Sequence, residues 1–111
     1  MRRQTTPFSA DVHRDGDDLV AVVIGDLDVH TAARLRAVVE EAHALESGAP
    51  RLVLDAAGVG FVDSSGLGAI LSVRRMIEAA GGVLVIRQPR DRLRSMLRVT
   101  GLDRVLATET G

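Results

Sequence analysis

The residues most capable of chemistry in this chain are Asp63, Ser64 and Ser65, followed at once by Gly66-Leu67-Gly68. Asp is a preferred helix N-cap, and a serine in the first helical turn lies where backbone N–H groups lack partners. Two hydroxyls would then stand at a helix N-terminus, on the sheet edge where α/β proteins place their sites. Such a hydroxyl can attack a substrate, accept a transferred group, or only cap the helix. Attack needs a base. The histidines are His13, His30 and His43, and none follows a strand in the usual chain order, although His30 opens a helix on the same edge. The string Val62-Asp63-Ser64-Ser65-Gly66 also differs from the G-x-S-x-G elbow. A serine hydrolase is therefore disfavoured, and spacing alone does not exclude simple capping.

Other constellations are weaker. Asp26 and Asp28 flank Leu27 and form a candidate acid pair, while Asp28 or Thr31 could equally cap the next helix. His13, His30 and His43 fall on separate elements at no metal-ligand spacing and read as solvated surface residues. Gly66-Leu67-Gly68 is only a fragment of a dinucleotide fingerprint, and no acidic residue follows at the required distance, so no cofactor is expected. Arg90, Arg92, Arg94 and Arg98 make one end basic, but Asp91 and Asp103 interrupt them, as on a solvated face.

The elements that must position Ser64 follow from periodicity. Arg51 to Asp55 is a short apolar run that reads as a buried strand, and 56–62 reads as the loop after it. Leu67, Ile70, Leu71 and Ile77 recur at helical spacing and predict a core-facing helix over 64–80, ended by Gly81-Gly82. Upstream, 8–14 alternates weakly as an edge strand, and Asp15-Gly16-Asp17-Asp18 turns it into the β-branched run 19–24, expected to be covered on both faces. A helix over 30–46 should bury Leu35, Val38, Val39, Ala42 and Leu45 before Gly48 and Pro50 stop it. Val83 to Arg87 is a further strand. Pro89 opens a short helix through Leu93, Met96 and Leu97 that Gly101 ends, and 102–107 reads as a last strand. The prediction is one α/β domain over residues 8–109 behind a flexible 1–7. Its sheet should be mostly parallel, with four to five strands, an N-terminal edge strand and three to four helices.

Composition bounds the function. The chain of 111 residues is 46% hydrophobic and 26% charged, as in ordinary globular domains. Only Phe8 and Phe61 are aromatic and the net charge is -1, so neither base stacking nor general attraction to nucleic acid or acidic membranes is expected. There is no Cys, which removes disulfides and thiolate chemistry. No apolar run approaches the length of a membrane span and no leader pattern follows Met1, so a cytoplasmic protein is expected.

The run Leu52 to Asp55 through Phe61-Val62-Asp63-Ser64-Ser65-Gly66-Leu67-Gly68 resembles the signature of the STAS family, the bacterial anti-sigma factor antagonists. Gly25-Asp26-Leu27-Asp28-Val29-His30-Thr31 resembles the family's G-E-L-D motif with its following Thr, Asp26 replacing Glu. Leu93 to Leu102 resembles the closing helix. The resemblance implies a switch protein without catalytic activity or cofactor, acting as a monomer. Ser64 matches the serine phosphorylated by the partner anti-sigma factor, a serine kinase with a histidine-kinase-like ATPase fold to which ATP and Mg²⁺ would belong. The unphosphorylated form would capture that partner and free the sigma factor, and a PP2C-type phosphatase would reset it. Asp26, Asp28, Thr31, Asp63, Ser65, Gly66, Leu67 and Gly68 are the expected partner contacts around Ser64. The alternative within the family is an interaction module of another complex, such as a stress-signalling scaffold or a lipid-transport assembly.

Overall fold

The computed structural model describes residues 6–110, so most of the segment expected to be flexible, 1–5, lies outside the described residues. Five strands line up in chain order: β1 (Ser9–Asp15), β2 (Asp18–Leu27), β3 (Arg51–Val62), β4 (Val83–Arg87) and β5 (Ala107–Glu109). β1 and β2 form an antiparallel hairpin, and every later pairing is parallel. Parallel neighbours need a crossover. Helices α1 (Ala32–Ala44), α2 (Ser64–Ala79) and α3 (Asp91–Thr100) supply the three crossovers, the last continued by a 3₁₀ turn, Leu102–Arg104.

The core lies on one face of this sheet. Leu19, Ala21 and Val23 of β2, Leu52 and Leu54 of β3, and Leu84 and Ile86 of β4 share it with Leu35 and Val39 of α1, Ile70, Val73 and Ile77 of α2, and Leu93 and Leu97 of α3. Alternation turns the intervening residues to the other face. There Val20, Val53 and Val85 stand side by side in register. They are buried, yet stand apart from the core cluster that the helices pack against. The same alternation puts the charged residues Asp18, Arg51 and Arg87 on this face. Arg51 bonds Asp18 at 2.6 Å and reaches Glu109 at 3.3 Å, and Arg87 bonds Glu109 at 2.9 Å.

Three sequence expectations need correction. The stretch 56–62 is strand, because β3 continues alongside β2 to pair Leu27 with Val62. Between Val22 and Leu27 the register slips twice, each time by one extra residue on β3, so twelve residues of β3 oppose ten of β2. Such bulges break the period of two that a sequence reading depends on. The α1 stripe is shorter than expected: the helix ends at Ala44, leaving Leu45 86% exposed. Residues 102–104 form the 3₁₀ turn, and the last strand starts only at Ala107.

Along α2 the large side chains that are fully buried are Ile70 and Ile77, with Val73 and the small Ala69 beside them, whereas Leu71 is only half-buried at the core's margin. Ile70→Ala is expected to cost about 2–5 kcal/mol and Leu71→Ala clearly less. Urea unfolding of the two variants would check the order; equal losses would contradict this packing.

Candidate functional site

β2 and β3 end side by side, and their C-terminal loops make the site. Asp63 donates its backbone N–H to the Leu27 carbonyl at 3.2 Å, tying the start of α2 to the end of β2. The Asp63 carboxylate caps α2, accepting the Gly66 N–H at Oδ1 over 2.9 Å, and the Asp63 carbonyl takes the Leu67 N–H at 3.0 Å. The expected N-cap is therefore present. Ser64 is the first helical residue and is exposed, with its hydroxyl making no hydrogen bond among the described residues. Ser65 is half-buried one step further along. The first-turn amides and the helix dipole give this end a partial positive charge that suits an anion.

The loop after β2 is held by its own side chains. Thr31 occupies the N-cap position of α1 but makes no capping bond. Its hydroxyl instead donates to the Asp26 carbonyl at 2.8 Å and accepts the Asp28 N–H at 2.9 Å. Asp28 Oδ1 accepts the His30 N–H at 2.9 Å, and its carbonyl accepts from Thr31 and Ala32. Asp28 and Thr31 thus staple the turn, and Val29 is pushed outward, 65% exposed. Asp26 stands opposite Phe61 in the ladder and is half-buried.

The two glycines of the serine loop differ completely. Gly66 is buried, and a Cβ there would overlap the Leu27 carbonyl oxygen while standing 2.8 Å from its carbon and 2.9 Å from Leu27 Cγ. Leu67 is buried too. Both were expected on the contact surface, and both face inward because α2 must press on the end of β2 to bring its first turn to the edge. Gly68 is half-buried, and a Cβ there would meet nothing within 4 Å. Ser64, Val29 and His30 are exposed and Gly68 has open space where a side chain would stand, while Asp63, Asp28, Thr31 and Gly66 build the frame.

Sequence reasoning missed a contribution from α3. Arg92 Nε donates to the Val62 carbonyl at 3.0 Å, and its guanidinium lies 5.1 Å from the centre of the Phe61 ring. Arg92 is exposed, as expected of a solvated face, and only a contact across thirty residues of sequence reveals where its guanidinium is held. His43, expected to be solvated, is half-buried, and its Nδ1 is buried with no hydrogen-bond partner among the described residues. Among the described residues no group of His, Cys, Asp or Glu could hold a metal ion, and no helix is long and apolar enough to cross a membrane.

A sequential, mostly parallel five-stranded sheet with an Asp-capped helix starting in Ser64 at the β3–α2 junction defines a small single-domain α/β module. The chain belongs to the STAS domain family, whose model matches residues 9–110. It is 28% identical over 99 residues to the anti-sigma-B factor antagonist of Bacillus subtilis, covering 89% of this chain and 88% of that one. In three dimensions it resembles an anti-sigma factor antagonist from Mycobacterium paratuberculosis, with a TM-score of 0.79 at 24% identity over 93% of this chain and 86% of that one. It also resembles the Bacillus cell fate determinant SpoIIAA in its phosphorylated form, with a TM-score of 0.68 at 24% identity over 92% and 90% of the two chains. These structural likenesses show the shared fold.

Proposed function

We propose that this protein is an anti-sigma factor antagonist switched by phosphorylation of Ser64. The observation that carries the reading is the state of Ser64: exposed, free of hydrogen bonds among the described residues, and fixed at the first position of a capped helix. A kinase can reach that hydroxyl without unfolding anything. The general role follows the antagonist relatives, and a structural neighbour known in a phosphorylated form supports the regulation.

In the unphosphorylated state an anti-sigma factor with serine kinase activity covers Ser64, Val29 and Gly68. Val29 supplies an apolar contact, and the bare Gly68 allows close approach. Asp26, Asp28, Thr31, Asp63 and Ser65 line or brace the same edge, with Gly66 and Leu67 acting from beneath. A phosphate on Ser64 adds about -1.5 to -2 charge beside Asp63. The helix end accepts that charge. The partner, which must desolvate it, does not. The chain's own part is that of a protein ligand rather than an enzyme, and a PP2C-type phosphatase removes the phosphate.

Incubation with the cognate kinase and ATP should add one phosphate, mapping to Ser64 by tandem mass spectrometry and absent from Ser64→Ala. A phosphate mapping to Ser65, or one retained by Ser64→Ala, would defeat the reading.

A further inference from the structure

We infer that Arg92 receives the phosphate carried by Ser64, so that the modified state is held by an ion pair inside this chain. The inference rests on the phosphoswitch reading above and names how that site is regulated.

Three observations converge on it. First, Arg92 is positioned before any phosphate arrives. Its Nε bond to Val62 fixes the guanidinium on the main chain two residues before Ser64, and the Phe61 ring supports it from below. The loop leading to α3 is fixed as well: Gln88 takes a positive φ of 53° and donates its N–H to the Glu109 carbonyl at 2.7 Å. Second, one bond uses only one of the five guanidinium N–H donors. Arg92 makes no ion pair among the described residues, so its Nη groups can fork onto a phosphate. Third, the Arg92 side chain is open to solvent: it is exposed and lines an open pocket of 210 Å³ with Gly60, Arg90 and Asp91.

The balance of charge on the site's loops and the start of α3 also favours the pairing. Asp63 and Asp28 stand on the site's loops, each with a carboxylate oxygen committed to a backbone N–H. Asp91 faces the pocket from α3, and His30 stands on the loop before α1. A phosphate dianion added beside Asp63 is favoured by a cation close by, and the first turn of α3 offers Arg92, with Arg90 at its N-cap. Arginine suits this role better than lysine, because its planar fork matches two phosphate oxygens.

The test installs phosphoserine at position 64 during translation, so no kinase is needed. A failure of the kinase reading would then be seen separately, as absence of phosphate transfer to the ordinary protein. Phosphorus NMR titration reads the second ionisation of the phosphate, ordinarily at about pH 6. With Arg92 present it should fall about one pH unit below its position in Arg92→Ala. Arg92→Lys should lie between, and Arg94→Ala, altering an arginine bonded to the Pro89 carbonyl, should titrate like the unaltered protein. A further readout needs no substitution: the Arg92 Nε resonance should move when serine is replaced by phosphoserine. Identical titration with and without Arg92, an equal rise in Arg94→Ala, or a stationary Arg92 resonance would each overturn the inference.

Discussion

Gly66→Ala is expected to lower the melting temperature by about 10 °C or more, whereas Gly68→Ala should raise it slightly. The two glycines sit two residues apart in one helix, so helix propensity predicts the same gain for both, about 0.5–1 kcal/mol. Packing decides otherwise. A methyl group at Gly66 runs into the Leu27 carbonyl, and that carbonyl cannot retreat because it accepts the Asp63 N–H and Leu27 is fully buried. Overpacking of this kind costs about 1–3 kcal/mol or more, and backbone is the least able of all neighbours to give way. At Gly68 the methyl group meets nothing within 4 Å, so only the propensity gain remains. For a domain of this size each kcal/mol moves the midpoint by roughly 4–8 °C. Thermal melts followed by circular dichroism would show the split, and matching midpoints would mean that α2 does not rest on Leu27. Gly68→Arg is the complementary surface test. It should keep a native spectrum and lose capture of the anti-sigma factor.

The contrast shows what a sequence conveys here and what it withholds. Period and punctuation identified β2, β4, α2 and α3, because apolar spacing and Gly or Pro stops act within one element. The Asp63 cap was legible for the same reason, since its bond to Gly66 spans three residues. β3 beyond Asp55 was not legible. Its two extra residues shift the alternation, and pairing with β2 overrides the loop-like composition of Ala56-Ala57-Gly58. Leu45 kept the helical spacing but falls just after the helix ends, where spacing no longer implies burial. Gly66 and Gly68 are the same letter in the same motif, and only the position of Leu27 separates structural need from open surface. Thr31 was read as a contact or a cap, yet its hydroxyl turns back to Asp26 and Asp28. Residues within the motifs were easily found; which of them face a partner depends on contacts between elements.

Ser64→Asp is expected to weaken capture of the anti-sigma factor by about thirty-fold or more, while Ser64→Ala holds it as tightly as the unaltered protein and cannot be released by kinase and ATP. The asymmetry follows from where the side chain lies. At the first position of α2 the fold has nothing to lose from a carboxylate: Ser64 is exposed, and an anion near a helix N-terminus is favoured by about 0.3–1 kcal/mol. Thermal stability should therefore stay near that of the unaltered protein in both variants. Binding is different, because the partner must strip water from whatever stands at position 64. A methyl group leaves a compact neutral surface between Val29 and Gly68. A carboxylate there must be desolvated beside Asp63, at a cost of at least ~2 kcal/mol, which is the thirty-fold loss. The carboxylate has one charge and two oxygens, so it should fall short of phosphoserine itself, which adds a second charge and a third oxygen. Titration calorimetry with the cognate anti-sigma factor would rank the three states as alanine, aspartate and phosphoserine in order of weakening affinity. Equal affinity of Ser64→Asp and Ser64→Ala would place the partner surface away from this helix end. A Ser64→Asp protein that had lost its fold would show instead that the α2 N-terminus does not accept charge, against the exposed and capped geometry from which the switch is argued.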